Sequence, residues 1–528
     1  MNKSKYFFLL LSVLFLVSVA YSQSIYQNVM ISNQNSPEEV SICINPKNLN
    51  QLVAGANIIN EYYSSDGGMT WTWQTMSSTY GVWGDPIITV DTIGNFYFFH
   101  LSNPSSGSWI DRMVCQKSTN AGVTWSNGTY AGLNPPKLQD KEGIVVDRRN
   151  NYIHMTWTQF DVYGTSNPLD SSRILYTKST DAGETWSTPV RIDKLGGDCV
   201  DADNTVEGAV PAVSPTGDIY VAWAGPKIRN SQFGIFFNKS TDDGLTWLAN
   251  PIYVTDQPGG WDYMIPGIQR CNGLPQTVCD VSNGPFRGNI YINWTDSAGN
   301  GDHDVKCVKS TNGGLNWSSV KKVNDDLPGK EQFFTWMTID QATGYLYFVF
   351  YDRRNYTDFQ TDVYMARSTD GGETFTNFRV SSTPFLPQGS TFFGDYNGIT
   401  AHNGKVRPIW TRLVSTQLSI WTAIVDFPVG VENITSNTPS EFKLNQNYPN
   451  PFNPSTNISY SIKENTFVTL KVYNLLGKEI ETLVNENKPA GNYDAVFSTD
   501  GKSISTGIYF YKLTAGNFTE TRKMTVLK

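Results

Sequence analysis

From residue 24 to residue 426 the chain alternates apolar, β-branched and aromatic runs with Gly- or Asn-rich breaks. Residues 333–382 show the pattern in one unit: FFTWMTID, YLYFVFYD, DVYMARST and TFTNFRVSS, each bounded by turn residues. Runs of this kind predict strands. Four antiparallel strands in a repeated unit predict a propeller blade. First strands recur at 38–46, 84–91, 141–147, 206–213, 264–270, 333–340 and 394–401. The seventh is followed by KVRPIWTRL and LSIWTAIVDF, and then no fourth strand comes. The missing strand is available at the other end, because YQNVMISN (26–33) has the make-up of the fourth strands STPVRID, NPIYVTD, SVKKVND and NFRVSS. An N-terminal strand completing the last blade would remove a sheet edge and lock the ring. The expected fold class is therefore all-β: a β-propeller, seven-bladed with six as the alternative, followed by a small C-terminal β-sandwich.

One eight-residue phrase punctuates the repeats: SSDGGMTW from Ser64, STNAGVTW from Ser118, STDAGETW from Ser179, STDDGLTW from Ser240, STNGGLNW from Ser310 and STDGGETF from Ser368. Recurrence about every 60 residues means one supersecondary unit used again and again. Asp or Asn at the third position can fold back onto nearby backbone N–H groups and hold a tight turn. Gly at the fifth accepts positive φ at little cost. The aromatic residue at the eighth starts the next strand. These acids are turn staples, so chemistry is expected elsewhere. The phrase resembles the Asp-box of the bacterial neuraminidase repeat, found in sialidases and in many other β-propellers.

Composition narrows the class. With 44 glycines, 13% aromatic and 17% charged residues in 528, the chain is rich in turns and in flat side chains that pack sheet on sheet. A net charge of −8 argues against nucleic acid as a partner and gives no general attraction to anionic membranes. Lys3 and Lys5, the apolar run Phe7–Val19 and the small-x-small site Ala20-Tyr21-Ser22 read as a signal peptide, 1–22. No later segment is long and apolar enough to be a spanning helix. Export permits disulfides, and Cys271 and Cys279 in CNGLPQTVC are the expected pair; Cys43, Cys115 and Cys307 fall inside predicted strands. The propeller is assigned 23–426 and a polar linker 427–440. The remaining 441–528 holds short alternating strands and the run Asn445-Gln446-Asn447-Tyr448-Pro449-Asn450-Pro451-Phe452-Asn453-Pro454. Three prolines so close together exclude a central strand. This tail is similar to the type A C-terminal sorting domain of the type IX secretion system, in the Pro-Asn run and in the late Gly-Ile-Tyr-Phe-Tyr strand. The resemblance implies export to the outer-membrane surface or beyond, with the secretion machinery as a partner.

Strands alternate direction, so the starts of first strands and the ends of second strands share the face away from the phrases. The starts supply Glu38, Glu39, Asp85, Glu142, Glu207, Asp262 with Tyr263, Trp336, and Asp395 with Tyr396. The ends add His100, Asp161, Asp296, Asp352, Arg353, Arg354 and Arg412. A funnel lined this way is the default binding site. Paired carboxylates perform acid–base work on glycosidic bonds, Trp336 and Tyr396 can stack on a sugar, and Arg353, Arg354 and Arg412 can hold an anionic group. Asp198, Asp201, Asp203 and Asn204, and separately Asp296, Asn300, Asp302 and Asp304, offer oxygen ligands that would suit a structural calcium, although neither has the EF-hand pattern. Four histidines and no His/Cys cluster argue against a zinc enzyme.

The sialidase resemblance implies an arginine triad for the substrate carboxylate, a Tyr nucleophile with a Glu partner, and an Asp acid/base. By residue type and blade order Asp85 matches the Asp, Glu207 the Glu and Tyr396 the Tyr, with Asp395 beside it. Arg270, Arg353 or Arg412 match the later arginines. The first arginine is absent, because its place reads Pro37-Glu38-Glu39-Val40. The expectation is a monomeric, secreted or surface-displayed propeller acting on a glycan, most nearly a sialidase-like glycoside hydrolase that needs no cofactor. The alternatives are a non-catalytic glycan-binding or adhesion propeller and a polysaccharide lyase.

Overall fold

The computed structural model describes residues 26–428 and 441–527, apart from 229–230, 298, 300, 489–490, 500–501 and 503. The expected signal peptide and most of the linker lie outside the described residues. The chain divides into two compact units, one ending at Val429 and the other beginning at Gly430.

The first unit holds seven four-stranded antiparallel sheets. Their innermost strands are Val40–Ile44, Ile87–Val90, Leu138–Val146, Glu207–Val213, Gln276–Cys279, Gln332–Asp340 and Gly398–His402. Each packs against the innermost strands of the sheets before and after it, and the last packs on the first, so the sheets form a closed ring. The last sheet is completed by the N-terminal strand Gln27–Ser32, paired antiparallel with Gln417–Asp426. Asn28 adds a side-chain tie, donating through Nδ2 to the carbonyl of Val380 at 2.8 Å in the preceding blade.

Burial explains the sequence pattern. The second strands Phe96–Leu101 and Ile153–Phe160 are buried at every residue, because neighbouring blades cover both faces. Hence Phe96–Leu101 reads as a nearly continuous apolar run, whereas Ile153–Phe160 still alternates but buries its polar residues His154, Thr156, Thr158 and Gln159 too. Trp157, Trp223, Trp294 and Trp410 sit in four of these second strands and are fully buried between blades. Removing one such ring would cost roughly 3–5 kcal/mol. The outermost strands Thr72–Thr75 and Val190–Arg191 are mostly exposed.

The six phrases form one turn each, between third and fourth strands. In the third, Ser179 Oγ accepts from Gly183 N at 2.9 Å, Asp181 Oδ1 accepts from Thr185 N at 2.9 Å, and Asp181 Oδ2 accepts from Thr185 Oγ1 at 2.5 Å. The same bonds recur around Asp66, Asp242 and Asp370. Gly183 has φ of +85°, and the residue before it, Ala182, is also left-handed at +60°.

Two expectations are corrected. Residues 264–270 are not the first strand of the fifth blade. Pro266 and a left-handed Gly267 (φ +79°) break the run, which becomes the loop of a two-stranded ribbon, Asp262–Tyr263 with Cys271–Asn272. The inner strand is Gln276–Cys279. The expected Cys271–Cys279 disulfide is absent, and all six cysteines are free thiols. Cys271 belongs to the ribbon, whereas Cys279 is the last residue of the inner strand and so lies a strand length away along the ring axis.

The second unit is a sandwich. Lys443–Leu444, Ser455–Ile462 and Gly491–Ser498 form one sheet; Glu479–Lys488, Thr466–Asn474, Gly507–Ala515 and Phe518–Val526 form the other. Ile458, Tyr460, Leu470 and Tyr511 are among its core residues. The Pro-Asn run is a loop pinned to both sheets: Tyr448 bridges Asn457, and Phe452 bridges Val526.

Candidate active site

At the mouth of the ring, one backbone device is repeated from blade to blade. The third, fourth and sixth inner strands carry a register shift between Asp140 and Gly143, Glu207 and Val210, and Phe333 and Trp336. Within each shift one residue is left-handed: Lys141 (φ +49°), Gly208 (+68°) and Phe334 (+51°). Glu39 and Asp85 take the same conformation (both +51°) just before the first and second inner strands. Non-glycine residues seldom sit there, and β-bulges re-aim side chains. Here the cost is spent on turning Glu39, Asp85 and Lys141 toward one another. Asn57 braces two of them, accepting from Asp85 N at 2.7 Å and donating to Glu39 Oε2. Gly84 (φ +95°) makes room for that bridge, since a Cβ there would lie 2.4 Å from Asn57 Oδ1.

Charges from four blades and the ribbon then meet. Lys141 Nζ lies 3.4 Å from Asp85 Oδ2 and 3.5 Å from Asp395 Oδ1. Arg270 reaches Asp395 at 2.5 Å and Glu39 at 3.3 Å. Tyr396 Oη donates to Asp85 Oδ1 at 3.3 Å, with Lys141 Nζ 5.0 Å from its ring centre and Trp336 5.9 Å away on another side. This cluster forms the floor of an open funnel of about 700 Å³, whose walls include Trp83, Trp109, Asp140, Tyr163, Asp201 and Trp261. Beneath the floor a pocket of about 60 Å³ is lined by Glu142, Trp336 and Tyr396. Further along the axis a channel of about 480 Å³ runs between the inner strands toward the face of the six turns.

The environment sorts these acids into two protonation states. Asp140 is pushed up to about 8, by burial and then by the negative charge of Asp85. Glu38 also rises to about 8, through burial and then through Asp395 and Asp85. Glu39 and Glu142 are held well above the ordinary carboxyl range, burial again leading. Asp395 goes the other way: burial alone would raise it, but Lys141 and Arg270 hold it down to about 2. Burial would lower Lys141, yet Asp395, Asp85 and Glu39 keep it well above its usual value. Burial and the charge of Asp85 raise the Tyr396 phenol, so it is neutral as it stands. Neutral carboxylic acids next to a fixed carboxylate can give and take protons at neutral pH.

Of the residues expected from sequence, Asp85, Asp395, Tyr396, Trp336 and Glu142 line these cavities. Glu207 stands directly behind them. It is completely buried, accepts from Thr205 Oγ1 at 3.1 Å, and leaves Gly208 to form the wall. Of the candidate arginines Arg270 reaches the funnel, whereas Arg353, Arg354 and Arg412 do not. Arg353 is buried, donating to the carbonyl of Pro266 and to Thr361, and lies between Phe333 and Phe359. Arg354 pairs with Asp352 and Asp325. Arg412 covers Trp421 and donates to Pro384 O. The acids at second-strand ends are also structural: Asp161 pairs with Lys137 and Arg173, and Asp296 with Lys306. His100 is tied to Leu101 and Gln116.

Sequence reasoning missed Lys141, Asp140, Trp83 and Trp109, and considered Asp201 only as a calcium ligand. Lys141 was in view, directly before Glu142 in KEGIVVD, but a search for acids passes over the cation that organises them. No group of three or more His, Cys, Asp or Glu residues is arranged around a possible metal among the described residues. In the loops considered for calcium, Asp201 accepts from Tyr163, Asp203 from Asp262 N, and Asp302 from Gly329 N, while Asn300 lies outside the described residues.

The closed ring with its axial funnel defines the larger unit as a β-propeller. Residues 446–527 match the family model described as the secretion system C-terminal sorting domain. That tail marks the chain for secretion or attachment at the outer-membrane surface. A xyloglucanase of Acetivibrio thermocellus is 23% identical over 347 residues, covering 60% of this chain and 36% of that protein. The chain thus spans about a third of the length of the curated relative it matches. Among solved structures, a Hadza microbial sialidase superposes with a TM-score of 0.42 at 15% identity, covering 72% of this chain and 74% of that one. An ulvan lyase, described as a new family of polysaccharide lyase, gives a TM-score of 0.46 at 13% identity, covering 76% and 96%. No helix among the described residues is long and apolar enough to cross a membrane.

Proposed function

We propose that the propeller is an exported glycoside hydrolase whose substrates are neutral glycans. One observation carries this reading. Asp140 and Asp85 line the same funnel, and the charge of Asp85 helps keep Asp140 protonated up to about 8. That is the division of labour glycosidic cleavage needs: one carboxylic acid to protonate the leaving oxygen, one carboxylate to act as base or nucleophile. Asp140 is assigned the acid. Asp85 is assigned the carboxylate, because its contacts with Lys141 and Tyr396 are long, at 3.4 and 3.3 Å, and leave it capacity. Asp395 is held through Oδ2 by Arg270 at 2.5 Å and acts as a positioning residue.

Neutral sugars fit better than sialosides. The cations of the funnel, Lys141 and Arg270, are both already paired with its acids. A substrate carboxylate would meet like charge there without the arginine cluster needed to hold it. We also read the six turns as Asp-boxes and residues 1–22 as the signal peptide that starts export.

The test is a screen of the mature protein against neutral glycans, sialosides and uronate polysaccharides, with product analysis. Asp140→Asn should cut turnover of an unactivated glycoside by about 10²–10⁴-fold and spare an aryl glycoside whose leaving group needs no proton. Equal loss on both substrates, or none on either, sinks the acid assignment. Unsaturated uronate products would identify a lyase instead. Binding without product would identify a glycan-binding propeller.

A further inference from the structure

The funnel is lopsided. Its floor is ionic, but one wall is aromatic and faces solvent. Trp83 and Trp109 are 40% and 42% exposed, and their rings meet edge to face at 5.9 Å. Trp109 meets Tyr163 in the same way at 5.6 Å, and Tyr163 meets Phe160 at 4.8 Å. Large rings left open to water cost free energy unless something covers them, and single exposed rings are ordinary whereas a contiguous row is not. The row is also preformed. Trp83 N donates to Leu101 O at 2.9 Å and Leu101 N to Gly84 O at 3.1 Å, so the Trp83 segment is zipped to the end of a second strand. The loop bearing Trp109 is held by Ser102 donating to Asp111 at 2.8 Å and by the Asp111–Arg112 ion pair at 2.7 Å, with Arg112 seated against Tyr80 and Tyr130. A rigid wall loses little entropy when a ligand lies on it.

We propose that Trp83 and Trp109 form a binding platform for sugar rings beyond the one being cleaved, so that the ligand is a glycan chain rather than a single terminal sugar. The inference rests on the hydrolase reading only for the position of the cleaved bond; the platform itself stands on the aromatic row. The apolar faces of pyranose rings suit flat aromatic surfaces, while the ring hydroxyls face the funnel's acids. The volume of about 700 Å³ holds more than one sugar ring.

The experiment uses the mature chain, a Trp83→Ala/Trp109→Ala variant and a Trp83→Phe/Trp109→Phe variant. Neutral gluco-, xylo- and arabino-oligosaccharides are tested from monosaccharide to hexasaccharide by calorimetry, and by turnover where it occurs. Wild-type affinity should rise with chain length and then level off. The alanine pair should lose about tenfold on the longer chains, about 1.4 kcal/mol, and less on monosaccharide glycosides; the phenylalanine pair should recover most of it. Both substitutions are at exposed rings, and melting temperature checks the fold. Affinity independent of length, equal affinity in the alanine pair, or no binding of any member by the wild type overturns the platform. Length-dependent binding that the alanine pair loses, with no product formed by any protein, sustains the platform and rejects the hydrolase reading.

Discussion

The two ends of the ring use the same residue type in opposite ways. At one end Asp66, Asp181, Asp242 and Asp370 each bond within four residues of themselves, in solvent. Hydrogen bonds from Thr185 draw Asp181 down to about 2, and those from Thr246 do the same for Asp242. At the other end Asp85 and Asp395 find partners far along the chain, and Tyr396 meets Asp85 across 311 residues. There, burial and neighbouring charge drive Asp140 and Asp395 to about 8 and about 2. Local partners make an aspartate a staple; convergent distant ones make it a reagent. That difference can be broken or sharpened by experiment.

The largest effect should follow deletion of residues 26–32. The ring opens, the funnel loses its convergence, and the last blade exposes the edge of Gln417–Asp426. The propeller's thermal transition should move to lower temperature and broaden. An unchanged melting curve would show that the ring does not depend on this strand.

Next comes Asp395→Asn. It leaves Lys141 and Arg270 without their shared carboxylate, at a cost of about 3 kcal/mol, the low end for breaking a buried pair because the Arg270 side chain is 47% exposed. Chemical denaturation measures this, and a change within error would mean the pair is screened by water.

The pH dependence of stability should separate the two ends. Glu38 and Asp140 have folded values near 8, above their ordinary 4.5 and 3.8. The folded state therefore holds protons the unfolded chain has lost, and this contribution, full below about 4, fades as pH rises toward 8. Asp181, Asp242 and Asp395, at about 2, contribute stability that is present above 3.8 and lost as pH falls toward 2. Glu38→Gln with Asp140→Asn should flatten the alkaline limb alone, and Asp181→Ala the acid limb alone. Identical flattening by both would erase the distinction.

The smallest effect belongs to the staple itself. Asp181→Ala should lower stability by roughly 1 kcal/mol, the scale of a lost capping bond, with turnover per folded molecule unchanged. Reduced turnover would tie this end of the ring to the chemistry.

Much of this was legible beforehand because it is local. The phrase STDAGETW contains both the bonding partners and the glycine its turn requires, and YQNVMISN could be matched to other fourth strands by composition alone. Asp85, Asp395 and Tyr396 could be placed at the funnel from strand direction. The arginines could not, since a position at the end of a second strand does not say which way the side chain turns. Arg353 turns into the protein onto Pro266, and Arg354 turns to Asp352. The fifth blade failed for a related reason: MIPGIQR has a strand's apolar content, but Pro266 and Gly267 bend it into a loop.

The sequence by itself determined the strand pattern, the repeated turns and the sorting tail, because each rests on periodicity or on contacts among near neighbours. Only the tertiary structure decided the protonation states and the partners in the funnel. Whether Asp140 is an acid or Asp395 a fixed anion depends on burial and on charges from blades far apart in the chain. The left-handed bulges that aim Glu39, Asp85 and Lys141 at one another have no sequence signature, since none of the three is the glycine such a conformation favours. Ring closure holds them there: the convergence exists only once the first strand of the chain has joined the last blade.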